Sequence, residues 1–172
     1  MLDETTMHDA MNEQIKNEFY SAYLYLSMSA YFETINFPGF AHWMQIQAQE
    51  EAGHAMKLYN FINERGGRVV LQAIDQPPAE FDSPLDVFER TLEHEEKVTG
   101  MIHQLYALSI QEQDYPSQIF LQWFVTEQVE EEDSATKIID TLKLIGDNRH
   151  ALLMLDRELG SRVLGPASQQ AE

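Results

Sequence analysis

The chain has 172 residues and a formal net charge of −18, from 29 acidic and 11 basic side chains. This excess of negative charge disfavours nucleic acid and anionic membranes as partners, because both bind basic surfaces. The sequence contains no cysteine, which excludes disulfides, thiolate metal sites and a cysteine nucleophile.

Apolar residues recur at helical spacing along most of the chain, and glycine and proline interrupt them at few points. The second helix is predicted to end at Gly66-Gly67, and Ser83-Pro84 is typical of the start of the third. The predicted helices cover residues 6–33, 40–65, 84–111, 117–145 and 149–159.

The links between these helices predict how they are arranged. Short links make antiparallel neighbours, whereas the middle link of roughly 15 residues allows the second helical hairpin to start from the far end of the first. The predicted fold class is therefore all-α, a four-helix bundle with one long crossover and a short fifth C-terminal helix. We expect a single domain of residues 1–172.

Each long helix carries a carboxylate at mid-length on its apolar face. On the first helix, Glu18 shares that face with Ile15, Ala22 and Leu26, and Tyr25 lies two turns further on. The corresponding acids on the other helices are Glu51, Glu95 and Glu131, with His54 one turn after Glu51 and Gln128 one turn before Glu131.

One such glutamate is ordinarily a residue at the edge of the apolar face whose carboxylate reaches solvent. Four at matching depth would cost several kcal/mol per buried ion unless a positive charge compensates them. The lysines nearest to them in sequence lie off these faces, which leaves a pair of metal ions as the compensation. Oxygen ligands with an imidazole suit iron or manganese, and can also bind zinc.

Five segments, among them the Glu-Glu-Ala-Gly-His run at 50–54, make this chain similar to a known family; the others are 17–20, 25–29, 64–68 and 120–128. Over nearly its whole length the chain resembles non-haem ferritins of bacterial type, with the H-type ferroxidase centre. The resemblance implies that Glu18 and His54 bind one iron of a di-iron centre and that Glu95 binds the second. Glu51 would bridge the two ions.

The same resemblance implies roles for further residues. Glu131 corresponds to an extra ligand of the second iron, and Gln128 to a glutamine that lines the site. Tyr25 would be an electron donor or hydrogen-bond partner, with an ordinary core tyrosine as the alternative. A third iron site is implied at Glu50, Glu127 and Glu130, although the acidic run around Glu130 also fits a solvated helix face.

The sequence differs from bacterioferritins and from animal ferritins at positions that bear on haem binding and on iron entry. Bacterioferritins repeat Glu-x-x-His in the second hairpin, whereas this chain has Glu127-x-x-Glu130. The methionine that holds haem in bacterioferritins falls at Ala52, so we expect no haem. Gln118 and Leu121 stand where animal ferritins line an iron-access channel with acids, so the resemblance leaves the route of iron entry open.

The resemblance implies a cytoplasmic ferroxidase that oxidises Fe(II) with O2 or H2O2 and stores ferric mineral in a homo-oligomeric cage of 24 subunits. In such a cage the fifth helix packs about an axis, although docking on its own bundle is equally compatible with its sequence. The first alternative is a stand-alone di-iron carboxylate oxidoreductase or peroxidase that stores no iron. The second is a structural bundle that binds adventitious metal.

Overall fold

The structure, a computed structural model, describes residues 6–166, so the first five and last six residues of the predicted domain lie outside the described part. Within residues 6–166 it contains helices and no strands, which confirms the all-α class. The elements are α1 (Met7–Thr34), α2 (Pro38–Glu64), α3 (Pro84–Gln111), α4 (Tyr115–Ile145) and α5 (Arg149–Leu159). None of these helices is long and apolar enough to span a membrane.

Two helices begin two residues earlier than the sequence predicts. The predicted starts of α2 and α4 were residues 40 and 117, but α2 begins at Pro38, and α4 begins at Tyr115 with Asp114 at its N-cap. Proline is accommodated in a first helical turn, because that turn needs no hydrogen bond from its nitrogen and the ring sets φ near the helical value. A proline that is assigned to a turn from the sequence alone can therefore be part of the first turn of the following helix, as in α2 and α4.

The long crossover between α2 and α3 runs along α1. Its beginning is held by Asn12, whose side chain bonds the Arg68 carbonyl at 3.0 Å and the Val70 amide at 2.8 Å. Further on, the Ser27 hydroxyl donates to the Pro78 carbonyl at 2.5 Å. The crossover therefore connects opposite ends of the bundle, as its length predicts.

Two apolar clusters fill the two ends of the bundle. One contains Phe32, Phe40 and Phe88, and the other contains Ile62 and Ile102. Between the two clusters lie buried polar residues at mid-length of the four long helices, among them Glu18, Glu51 and Glu95. The core is thus divided by a polar layer, and this layer contains the candidate metal ligands.

The prediction that Leu26 lies on the buried apolar face of α1 is wrong. Leu26 is 49% exposed, whereas Tyr25 is completely buried. At 100° per residue, Tyr25 lies about 20° from the direction of Glu18, and Leu26 lies about 80° from it. The angular width of the buried face is set by the neighbouring helices, and Leu26 falls outside it.

The fifth helix docks on the start of α2. Leu155 and Leu159 are buried, and the Asp156 carboxylate accepts a hydrogen bond from the Phe40 amide at 3.0 Å, in the first turn of α2. A Cβ on Gly39 would lie 1.6 Å from the Asp156 carbonyl oxygen, so only glycine permits this approach. The opposite side of α5 remains exposed, with Leu153 at 51% and Met154 at 59%.

We expect Gly39→Ala to push α5 away from α2 and to lower the unfolding temperature, at a cost of about 1–3 kcal/mol. Gly100→Ala is the matched control, since Gly100 lies within α3 and a Cβ there meets nothing within 4 Å. That control should gain up to about 1 kcal/mol from helix propensity. Thermal unfolding followed by circular dichroism measures both, and equal effects of the two substitutions would contradict the docking of α5.

Candidate metal centre

The structure brings the predicted residues of the four long helices together in the polar layer. All of them are buried, with exposed fractions of 6% or less. They are Glu18 and Tyr25 on α1, Glu51 and His54 on α2, Glu95 on α3, and Gln128 and Glu131 on α4.

Two groups of potential ligands share Glu51. In the first, an oxygen each of Glu18 and Glu51 and a ring nitrogen of His54 all lie within 4.8 Å of one another. In the second, the same holds for oxygens of Glu51, Glu95 and Glu131. His54 Nδ1 is 3.1 Å from Glu51 Oε2 and 3.9 Å from Glu18 Oε2. Glu51 therefore lies between two positions that each offer three ligands.

Three glutamines hold these carboxylates in place. Gln14 Nε2 donates to Glu18 Oε1 at 2.8 Å. Gln47 Nε2 donates to Glu51 Oε1 at 3.0 Å and to Glu131 Oε2 at 2.7 Å. On the far side of the layer, Gln128 Nε2 donates to Glu95 Oε2 at 3.1 Å, and the Tyr25 hydroxyl donates to Glu95 Oε1. Each of the four carboxylates thus receives at least one neutral donor.

Gln14 and Gln47 are not among the predicted site residues, although the sequence carries a local signal for both. Each glutamine precedes a candidate ligand by four residues on the same helix, a spacing at which an amide reaches a carboxylate. The contact from Gln47 to Glu131 had no such signal, because it joins α2 to α4 across 84 positions of the sequence.

Burial raises the pKa of three of these carboxyl groups. For Glu51 and Glu131 the pKa lies well above its ordinary value, because burial and the neighbouring carboxylates both disfavour the charged form. For Glu95 burial raises the pKa to about 7, although the hydrogen bonds from Tyr25 and Gln128 act in the opposite direction. Without a cation this layer therefore retains protons, which a bound metal has to displace.

One atom of the layer is left without a partner. Glu18 Oε2 is buried and has no hydrogen-bond partner among the described residues. It faces the His54 ring, at 3.9 Å from Nδ1, in the group shared with Glu51. A buried carboxylate oxygen without a donor is costly, and a metal ion at this position would satisfy it. The donor set of carboxylates and one imidazole fits iron.

The three residues of the implied third site differ in burial and in the partners they already have. Glu127 is half-buried, and its Oε1 lies 4.0 Å from His54 Nε2 in a further ligand group with Glu131. Glu50 is buried but already paired, at 2.7 Å, with the guanidinium of Arg162. Glu130 is exposed. Burial raises the pKa of Glu127, which His54 lowers and the charges of Glu130 and Glu50 raise further.

The half-buried Trp123 packs at the border of the layer. Its indole ring meets the His54 ring edge to face at a centroid distance of 5.2 Å, and the Lys57 ammonium lies 4.4 Å above the indole. Trp123 therefore restricts the movement of the His54 imidazole.

Comparison with known proteins identifies the family. Residues 8–145 match the model of the ferritin-like domain. The chain belongs to the ferritin family. The general function of ferritins is iron storage with oxidation of ferrous iron, and a structure that presents buried carboxylate and histidine groups is consistent with it.

Two curated ferritins are similar over nearly the whole chain. The bacterial non-heme ferritin of Bacteroides fragilis (strain 638R) is 45% identical over 156 residues, which is 91% of this chain and 97% of that protein. The bacterial non-heme ferritin of Staphylococcus aureus (strain USA300) is 38% identical over 154 residues, 90% of this chain and 93% of that protein. The resemblance to bacterial non-haem ferritins is thereby confirmed.

Solved ferritins share the fold. The open pore ferritin from the hyperthermophilic archaeon Archaeoglobus fulgidus superimposes with a TM-score of 0.92 at 53% identity, covering 94% of this chain and 99% of that one. A closed form of that ferritin, engineered by site-directed mutagenesis, gives a TM-score of 0.91 at 53% identity, covering 92% and 97%. The ferritin-like bundle with a short C-terminal helix is therefore confirmed.

The buried carboxyl groups predict how the stability of the metal-free ferritin depends on pH. The pKa of Glu95 rises from its ordinary 4.5 in the unfolded chain to about 7 in the folded one, so the folded state binds the extra proton between these values. The resulting stabilisation is complete below about pH 4.5 and is lost as the pH rises through about 7. Glu51 and Glu131 act in the same direction.

We therefore expect the unfolding temperature of chelator-treated protein to fall between about pH 5 and pH 8. Glu95→Gln is neutral throughout this range and should make the decline shallower. Glu96→Gln removes the same charge from the adjacent, exposed position of α3 and should keep the wild-type slope. Identical slopes for the two variants would show that Glu95 does not titrate in this window.

Proposed function

We propose that this ferritin oxidises Fe(II) at a di-iron centre in the polar layer and stores the ferric product inside a cage. The observation that carries the proposal is the pair of three-ligand groups that share Glu51, all of whose residues are buried. Iron is the substrate: two ferrous ions release two electrons, which with two protons reduce O2 to H2O2, or H2O2 to two water molecules.

The two positions differ in their ligands. Glu18, Glu51 and His54 would bind the first ion, with the unpartnered Glu18 Oε2 as one donor and His54 Nδ1 as another. Glu51, Glu95 and Glu131 would bind the second ion, so Glu51 would bridge the two. The assignments follow from which atoms lie together, and they match the roles implied by the resemblance.

The charge of the ligands matches two ferrous ions but not two ferric ions, which favours release of the oxidised product from this centre. Four ionised carboxylates, those of Glu18, Glu51, Glu95 and Glu131, neutralise two ferrous ions. Oxidation adds one positive charge per ion, so the same ligands leave two charges uncompensated in a buried layer, which is unfavourable. Binding of hydroxide or departure of the ferric product restores neutrality, and this favours movement of iron towards a mineral.

Tyr25 and Gln128 would act by holding Glu95. The Tyr25 hydroxyl donates to one oxygen and Gln128 to the other. Burial and the adjacent carboxylates raise the pKa of Tyr25, so its phenol keeps the proton that it donates. The hydrogen-bond role of Tyr25 therefore has direct support from these contacts.

We also propose the third iron position, at Glu50, Glu127 and Glu130. The proximity of Glu127 to His54 and Glu131 supports it, since an ion there would lie beside the di-iron pair. Occupation would require Glu50 to leave its ion pair with Arg162. A position with this cost suits transient passage of iron better than permanent binding.

Assembly into a homo-oligomeric cage of 24 subunits belongs to the same proposal. Leu153 and Met154, on the side of α5 that faces away from its own bundle, supply an apolar surface for contact between subunits. A charge of −18 per chain would draw cations to such a cage. The acidic, cysteine-free composition supports a cytoplasmic location.

Replacing the bridging carboxylate tests the chemistry. We expect Glu51→Gln to slow the oxidation of Fe(II), added without oxygen and then exposed to air, by at least about 100-fold. Glu64→Gln, at the exposed end of the same helix, is the control and should oxidise iron at the wild-type rate. The ferric absorbance in the near ultraviolet measures both rates. Equal rates in Glu51→Gln and wild type would refute the di-iron proposal.

Particle size separates storage from a stand-alone enzyme. Twenty-four chains of 19.9 kDa give a cage of about 480 kDa, which light scattering coupled to gel filtration measures directly. We expect this mass, and iron that co-elutes with the particle after aerobic loading. A monomer or dimer that oxidises iron without retaining it would favour the di-iron oxidoreductase that stores nothing.

A further inference from the structure

The segment after α5 returns to the metal centre through Arg162. We call residues 161–165 the C-terminal strap. The Arg162 guanidinium lies 4.2 Å above the Trp43 ring, and its Nη1 donates to the Trp43 carbonyl at 3.3 Å. Its Nη2 donates to Glu50 Oε2 at 2.7 Å, and the Gly165 amide donates to Glu50 Oε1 at 3.2 Å. The Arg162 guanidinium is thus packed against Trp43 and held by hydrogen bonds from both of its terminal nitrogens.

The same Nη2 atom also contacts Gln47. It donates to Gln47 Oε1 at 2.9 Å, and the Gln47 side chain is almost completely buried. A guanidinium has donors and no acceptor, whereas an amide has one acceptor oxygen and one donor nitrogen. The Arg162 contact therefore selects one of the two orientations of the Gln47 amide, with the oxygen towards the strap and the nitrogen towards the metal centre.

The orientation of the Gln47 amide determines whether Glu51 and Glu131 face a hydrogen-bond donor or an acceptor. With the nitrogen inward, Gln47 donates to Glu51 at 3.0 Å and to Glu131 at 2.7 Å, and so joins two ligands on different helices. With the amide turned by 180°, its oxygen would face the same two carboxylates. Metal binding requires both carboxylates in the ionised form, and an acceptor oxygen facing two ionised carboxylates repels them, so both would move away from the positions that a metal requires.

We propose that Arg162 is a positioning residue for the metal pair, acting through Gln47. It keeps the Gln47 amide oriented so that oxygens of Glu51 and Glu131 stay close enough together to bind the second ion. This inference rests on the proposed di-iron centre. It gives the C-terminal strap a role in metal affinity, although no residue of the strap belongs to a candidate ligand group.

Loss of Arg162 should affect the affinities of the two metal positions unequally. Glu51 and Glu131 are both in the group of the second ion, whereas only Glu51 is in the group of the first. In the first group Glu18 is held by Gln14, on α1, and Arg162 does not touch either residue. Loss of Arg162 should therefore weaken the second metal equivalent more than the first.

The test is a titration of the metal-free protein with Co(II), whose visible absorption reports the coordination of each equivalent bound. Arg162→Met removes every donor but keeps an apolar side chain on Trp43. Arg157→Met, on the exposed side of α5, is the matched control. Every variant also carries Glu130→Ala, because removing Arg162 releases Glu50 for the proposed third position.

We expect Arg162→Met to weaken the second Co(II) equivalent by about 10- to 100-fold, the range found when a partner of a metal ligand is removed. Arg157→Met should bind both equivalents as the parent does. Gln47→Met leaves Arg162 on Glu50 and Trp43, so it tests the same contact even if Arg162→Met disturbs folding. It should show the same loss, and the double variant Arg162→Met, Gln47→Met should lose no more than either single one.

Two results would overturn the inference. One is a second Co(II) equivalent bound equally well by Arg162→Met and Arg157→Met. The other is an additive loss in the double variant, which would mean that Arg162 does not act through Gln47. Glu51→Gln in the same titration separates this inference from the proposed function. If that variant keeps both equivalents, the di-iron centre itself is refuted, whatever Arg162 does.

Discussion

The buried layer of carboxylates is the constraint on which the rest of this structure depends. Glu18, Glu51, Glu95 and Glu131 lie between two apolar clusters, where ionised groups are unfavourable unless cations, donors or protons compensate them. A hydrophobic layer at this level would make a more stable bundle. The sequence has acids there instead, and the surrounding side chains donate hydrogen bonds to them.

The metal-free protein meets the constraint with hydrogen bonds and protons. Glutamine amides and the Tyr25 phenol donate to the carboxylates without adding charge, so they fix the ligands without replacing the metal. Raised pKa values at Glu51, Glu95 and Glu131 indicate that donors alone leave negative charge uncompensated. In the proposed di-iron centre iron would replace protons at these groups, which would link its binding to pH.

Several features could be read from the sequence because they depend on residues close together in the chain. Helical spacing, the caps and the lengths of the links predict the bundle and its crossover. One kind of error has a local cause too: α2 and α4 start two residues earlier than predicted because proline fits a first helical turn. The error at Leu26, which lies just beyond the buried sector of α1, has a different origin. The width of that sector depends on neighbouring helices, which periodicity does not report.

The sequence by itself determined that each long helix places a carboxylate on its apolar face at mid-length, because that follows from 3.6 residues per turn. Only the tertiary structure decided which oxygens share a cation position and which face a donor. Gln47 meets Glu131, and Arg162 meets Gln47 and Glu50, across more than 80 positions of the sequence. Such contacts depend on the packing of helices against one another and on the path of the chain after α5. A pattern within one helix contains no information about either.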